Sequence, residues 1–292
     1  MASLKEVKVR ITSVMSTQQI TKAMKMVAAA KLRKSQERIL QMRPYAKKLS
    51  SLLTNLSSVY DENGQNWYST VREEKRILIV PISADRGLCG SFNSNIFKAT
   101  TRLIQEKYSS QLSKGGVTIL PIGKKAFEYF GKRSMPTVND YWDIFRAISF
   151  QRVSVIGEYL MDAFKKGQFD KIEIVYNEFK NVATQVLQTE QVLPVVANKA
   201  SKASNLDYIL EPNLEEIITG LIPKSVNTIL FKALLDTNAA FNGAQMTAMD
   251  KATENAGELI KELKLTYNRT RQAAITKEIL EIVAGAEALK SA

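Results

Sequence analysis

The stretch Ser83-Ala-Asp-Arg-Gly-Leu-Cys-Gly-Ser-Phe-Asn93 follows an apolar run and precedes a helical one. A glycine-rich turn in that place can cradle a phosphate with backbone N–H groups at a helix start. It lacks both G-x-G-x-x-G and Walker spacing, and the plainer reading is a strand-to-helix turn that uses glycine's backbone freedom. Cys89 is the chain's one cysteine, and its 292 residues include no histidine. A lone thiol without an imidazole is better read as a small buried hydrophobe than as a nucleophile. The same two counts remove an internal disulfide, a cysteine zinc site and any Ser-His or Cys-His pair. Glu254, Glu258 and Glu262 recur every four residues along one helix face and need no metal. Met24, Met26, Met246 and Met249 suit a packing seam better than a cofactor box. No catalytic residue, no cofactor and no metal is expected.

Charge points to a partner instead. The net charge is +12, and residues 1–60 hold 12 Lys/Arg against Glu6 and Glu37. Residues 211–292 carry 9 bases and 11 acids. A cationic N-terminal segment attracts an acidic protein surface, nucleic acid or anionic lipid. Lys22, Lys25, Lys31, Arg33 and Lys34 are the densest part of it, and taken alone they would read as a solvated helix face. A nucleic-acid reader would set such bases apart from its zipper, whereas here they run along the apolar seam itself, so no nucleic acid is expected.

The elements that position these groups follow from periodicity. Ser3-Leu-Lys-Glu6 fits a capping box. Leu4, Val7, Ile11 and Val14 open a 3-4-3 rhythm, a polar patch Ser16–Gln19 interrupts it, and Ala28, Leu32, Ser35, Ile39, Met42, Ala46, Leu49, Leu53 and Leu56 resume it. That narrow stripe is a coiled-coil seam. The helix it predicts, from Ser3 to about Ser58, is roughly 80 Å long, bent or opened at Pro44 and ended by Asp61-Glu-Asn-Gly64.

The period then changes. Arg76–Ser83 and Val117–Ile122 read as buried strands, Lys124–Phe130 and about Gln151–Lys166 as helices, Lys171–Asn177 as a strand, and the alternating Ala183–Val196 as an edge or antiparallel strand. Strand and helix in this order give a doubly wound, Rossmann-like α/β domain. Asn198–Asn205 is read as a polar linker. Glu211-Pro-Asn213 starts a last helix, which Pro223 is expected to kink or interrupt. Met249, Ala252, Ala256, Leu259 and Leu263 form one run of its seam, and Ile275, Ile279, Ile282, Ala286 and Leu289 a second, separated by a stutter near Thr266–Ala274. Long seams occur at both ends of the chain and nowhere else, so the economical fold pairs them. The expectation is an α/β chain with a long antiparallel coiled coil of N- and C-terminal helices, bounded as 1–60, 70–200 and 208–292.

Three stretches stand out together: Gln18-Gln-Ile-Thr-Lys-Ala-Met-Lys-Met-Val-Ala-Ala-Ala-Lys31, the turn Ser83–Asn93, and Arg271-Gln-Ala-Ala-Ile-Thr-Lys-Glu-Ile-Leu-Glu-Ile-Val-Ala-Gly-Ala-Glu-Ala288 preceded by Met246-Thr-Ala-Met-Asp-Lys-Ala-Thr-Glu-Asn255. In order and in position the chain resembles the gamma subunit of F-type ATP synthases over essentially its whole length. The resemblance implies a non-catalytic rotary shaft inside a ring of alternating alpha and beta subunits, with its foot against epsilon and the membrane c-ring, driven by proton or sodium flow. By the same resemblance Met24 and Lys25 meet the acidic lever of beta. Arg269, Gln272 and Thr276 contact the catalytic ring, Ile282 to Leu289 turn in an apolar sleeve, and Tyr208 and Glu211 belong to the foot. One copy per complex is implied, without homo-oligomers. Chloroplast forms carry an inserted cysteine pair, which a chain with Cys89 alone does not have. The N-terminus shows no signal or transit pattern. A bacterial protein is therefore expected, peripheral on the cytoplasmic side of the inner membrane.

Overall fold

The computed structural model describes residues 3–60, 67–133, 135–195, 211 and 214–290, with backbone alone at 53–60, 214, 215, 218 and 290. The expected helix stop at 61–64, the linker 198–205 and Tyr208 lie outside the described residues.

Helix α1 runs Leu4–Tyr60, 57 residues, and begins as the capping box requires, with the Glu6 N–H donating to Ser3 Oγ at 3.2 Å. Strand β1 (Ile77–Pro81), α2 (Phe92–Lys107), the short α3 (Ser109–Ser113), β2 (Val117–Ile119), α4 (Lys124–Phe130), α5 (Phe150–Lys165), β3 (Lys171–Phe179) and β4 (Gln185–Leu193) follow. The chain closes with α6, Leu214–Lys290, 77 residues. No helix of the described residues is long and apolar enough to cross a membrane.

Two compact units are distinguished, Met1–Ala28 with Met246–Ala292, and Ala29–Gln245. In the second, the sheet order is β2-β1-β3-β4. β1 pairs parallel with both β2 and β3, and β4 is the antiparallel edge. All five residues of β1 are buried, because helices cover both faces. Leu78, Val80, Ile82, Ile172 and Ile174 pack with Ile156, Leu160 and Phe164 of α5 and with Ile222, Val226, Leu230 and Leu234 of α6. The alternate residues Ile77, Ile79 and Val175 are buried on the face where α2 approaches β1 and β3. The doubly wound expectation therefore holds, and α6 supplies part of the core of that domain as well as the shaft.

Within each unit α1 and α6 run antiparallel. In the first, Gln18, Thr21 and Lys25 reach back along α6 to Thr253 and Asp250. In the second, Ser35 and Arg43 reach Asn242, Asn238 and Asp236. Val7, Ala28, Leu32, Ile39 and Leu49 are buried as the 3/4 rhythm requires, and the side chains of Leu53 and Leu56 lie outside the described set.

Three expectations change. The patch at Ser16–Gln19 does not break the seam: Gln18 is half-buried, and the next seam position, Thr21, is buried with its hydroxyl in a hydrogen bond. Nor does a stutter break it in α6, where half-buried Leu263, Tyr267, Thr270 and Ala274 keep the rhythm. The apolar residues beyond belong to another face. Finally, of the kink or interruption expected at Pro223 the interruption does not occur, and the helical run of α1 likewise passes through Pro44. A helical proline leaves the carbonyl four residues back without a donor. Those carbonyls belong to Leu40 and Thr219, both exposed, so water can take them.

Gly123, between β2 and α4, has φ +91°, and a Cβ there would sit 2.2 Å from the Ser83 carbonyl oxygen. Gly123→Ala is expected to destabilise the fold by about 2–3 kcal/mol or more, read as a lower urea midpoint with an unchanged slope.

Candidate interaction surfaces

The turn after β1 is closed by its own chain. Asn93 Oδ1 accepts the Ala84 N–H at 3.0 Å, while Asn93 Nδ2 donates to the Arg86 carbonyl at 3.1 Å and to Cys89 Sγ at 3.5 Å. Asp85 Oδ1 accepts the Lys124 N–H at 2.9 Å and Ser83 Oγ the Ala126 N–H at 2.7 Å, so the turn also caps α4. Leu88 and Gly90 sit at φ 59° and 61°. The side chains of Asn93, Asp85 and Ser83 thus tie the turn to the starts of α2 and α4. Cys89 is buried, and burial pushes its thiol above the usual range despite the amide of Asn93. The buried Tyr108, Tyr176 and Asp236 are likewise raised, mainly by burial.

One cleft of about 610 Å³ lies within the second unit. It is lined by Lys31, Lys34 and Arg38 of α1, by Asp85 and Arg86 of the turn, and by Arg146. Among the described residues Lys31, Lys34, Arg38 and Arg86 have no carboxylate within ion-pair distance, so the cleft is strongly positive. Cys89, Tyr108, Tyr176 and Asp236 do not line it, so the perturbed groups and the cationic surface do not form an acid–base centre. The cleft suits an acidic segment.

In the first unit, Met24 and Lys25 are half-buried at the α1–α6 seam, and Lys25 Nζ meets Asp250 Oδ1 at 2.5 Å with side chains 39% and 42% exposed. Arg269 and Gln272 are exposed, and exposed Thr276 donates its hydroxyl to the Gln272 carbonyl at 2.9 Å. Ile282 and Leu289 are exposed, Leu289 at 82%. Glu211 is exposed. These residues do not converge on one pocket. Met24 and Lys25 form one station beside Asp250, and 269–289 another along the end of α6. Asp250, Arg38, Arg86 and Arg146 are absent from the sequence-derived set. Asp250 had a signal, as an acid one residue from the seam position Met249. The three arginines had none, because segments distant in sequence assemble the cleft.

A family model described as ATP synthase matches residues 3–289. The ATP synthase gamma chain of Cytophaga hutchinsonii is 53% identical over 100% of both chains. That of Flavobacterium psychrophilum is 50% identical over 99% of this chain and 100% of its own. Among solved structures, a chain of the Tetrahymena thermophila mitochondrial ATP synthase central stalk and c-ring aligns with TM-score 0.57 at 25% identity, covering 80% of this chain and 99% of that one. A chain of the Euglena gracilis mitochondrial enzyme, solved with OSCP, F1 and c-ring, shares the fold with TM-score 0.68 at 23% identity, covering 98% and 94%.

Two outcomes follow from these geometries. Cys89 should react with an aromatic disulfide reagent at neutral pH at least about 10-fold more slowly in the native chain than in urea, since burial lowers both access and thiolate fraction. Equal rates would place the thiol at the surface. Lys25→Glu sets two carboxylates together and should lower stability by about 0.5–1 kcal/mol, a partly exposed pair being worth little more. Adding Asp250→Lys should restore the thermal midpoint, and a double variant no better than the single one would show that the ion pair contributes nothing.

Proposed function

We propose that this chain, which belongs to the ATP synthase gamma-chain family and is a non-catalytic central-stalk subunit of the F-type enzyme, couples c-ring rotation to the catalytic beta subunits by pressing on them in turn. The observation that supports the reading is the shaft itself: α1 and α6 paired antiparallel, with the last turns of α6 exposed and apolar. A pair of long helices acts through contact, biasing the conformations of what surrounds it.

In this reading Met24 and Lys25 meet the acidic lever of beta, where the cation supplies the complementary charge. The cationic cleft adds a second surface for acidic segments of the ring. Arg269, Gln272 and Thr276 contact the ring higher up, and Ile282 and Leu289 turn within its apolar opening. Tyr208 and Glu211 lie in the foot that faces epsilon and the c-ring. The assembled neighbours of the Tetrahymena and Euglena chains, a c-ring in both and F1 with OSCP in the latter, support the same surroundings here. One copy serves each complex, without nucleic acid. The chain is held peripherally at the cytoplasmic face of a bacterial inner membrane.

Reconstitution of ATP hydrolysis from cognate alpha, beta and this chain tests the reading. The chain should be required for full turnover, and Met24→Lys should slow coupled turnover by roughly 3-fold or more, because a second cation beside Lys25 distorts the contact with an acidic segment. Assembly and turnover indifferent to the chain would overturn it.

A further inference from the structure

The two shaft helices are fastened to the α/β domain in different ways. Helix α6 is held by packing spread over many residues. Ile222, Val226, Leu230 and Leu234 belong to the domain core. Phe241 stacks edge-on against Phe92 at 5.9 Å, and Gly243 lets the Phe179 ring approach to 3.4 Å from where a Cβ would be. Among the described residues of α1, none belongs to the domain's core cluster. Leu32, Ser35, Ile39 and Leu49 face the seam, and along Lys31, Lys34 and Arg38 the cleft separates α1 from residues 84–86 and 145–148.

Arg43 crosses that gap in anchorage. Its Nη2 donates to the Phe179 carbonyl, at the end of β3, at 2.7 Å and to Asp236 Oδ1 of α6 at 3.3 Å. Asp236 is 0% exposed, and its other oxygen has no partner among the described residues. A carboxylate buried with a single guanidinium is held in place by that guanidinium and is left stranded without it. One side chain of α1 therefore ties three elements: its own helix, α6 and the central sheet.

We propose that Arg43 is a positioning residue that clamps α1 to α6 and to the end of β3 within the unit Ala29–Gln245, so that this stretch of both helices turns with the sheet. The proposal rests on the rotor reading and adds to it the point where torque entering the domain is shared with α1. Narrow seams resist bending better than they resist sliding, since each knob leaves one hole for the next along the same groove. A directional, charge-assisted bond to a sheet carbonyl has no equivalent position one turn away. Without it, α1 is driven only through the seam and its polar layer at Ser35, with no direct bond to the sheet, and part of each rotation is lost as slip.

The test uses the complete ATP synthase in sealed vesicles, reading ATP hydrolysis and ions pumped per ATP. Arg43→Met keeps the apolar stem and removes the donors. Hydrolysis should stay within about 2-fold of wild type while ions pumped per ATP fall by about 3-fold or more, and Arg43→Lys, able to reach one acceptor at a time, should fall between. Since Arg43→Met strands Asp236, the double variant Arg43→Leu with Asp236→Leu serves beside it. It removes the buried charge and should recover the thermal midpoint while leaving the ratio low. A ratio equal to wild type in Arg43→Met, or in the double variant where the single one does not assemble, overturns the clamp. Failure of the wild-type chain to support pumping overturns the rotor reading instead.

Discussion

Everything in this molecule answers to one constraint: two helices far longer than a globular core can cover each carry an apolar stripe that water disfavours. Outside the stretch of α6 that packs into the α/β domain, each stripe is too narrow to be a globular face, and the two cover one another. The burial of Leu32, Ile39 and Leu49 follows from that pairing. Apolar seams alone, however, are nearly indifferent to sliding by a heptad. Polar layers remove the indifference. Ser35 accepts from Asn238 and Asn242 at 3.0 and 3.3 Å, and the Thr21 hydroxyl meets that of Thr253 at 2.8 Å. Slipped by seven residues, Asp236 would face Gln36 or Ser50 in place of Arg43, and a buried carboxylate without its cation is among the costliest single errors a core can make. Stability comes from the apolar layers and register from the polar ones.

The α/β domain is best understood as the base that fixes one stretch of this pair. Its sheet has the parallel strands and crossover helices of nucleotide-binding folds, yet the turn that would receive a phosphate is closed by Asn93 and used to cap α4. Fold and function separate here at the level of individual hydrogen bonds. What remains chemically distinctive is positive charge around a cleft and along one helix, which is a means of meeting acidic partners and not of making or breaking bonds.

Much of this was legible in the sequence because it rests on periodicity. The seam positions, the succession of strands and helices along the chain and an edge or antiparallel β4 follow from spacings of 3.5 and 2 residues. The misread features are those in which polar side chains do the work of apolar ones. Gln18 looked like part of an interruption because its value in the seam lies in a hydrogen bond across it. Pro223 looked like a break because a one-dimensional reading does not show which carbonyl faces water. Met24 and Lys25 were visible through family resemblance, whereas Asp250 beside Lys25 and Arg86 and Arg146 beside Lys34 depend on how distant segments meet.

The end of α6 gives the reading its direction. Through Ala274 the half-buried residues keep to the side that faces α1. From Ile275 the apolar residues Ile275, Ile279, Ile282, Val283 and Leu289 lie roughly a third of a turn away and are exposed. The phase change that resembles a stutter in the sequence is therefore a change of partner: the seam stops where α1 begins, near Leu4, and a second stripe takes over. A helix end that served only to pair with α1 would turn polar at that point. This one carries an apolar stripe beyond its companion, which is physically sensible for a shaft whose end is enclosed by something else and costly for a chain that stays in water. Along a single helix the apolar residues thus face a companion helix first and then, after a shift of phase, stand exposed on another side.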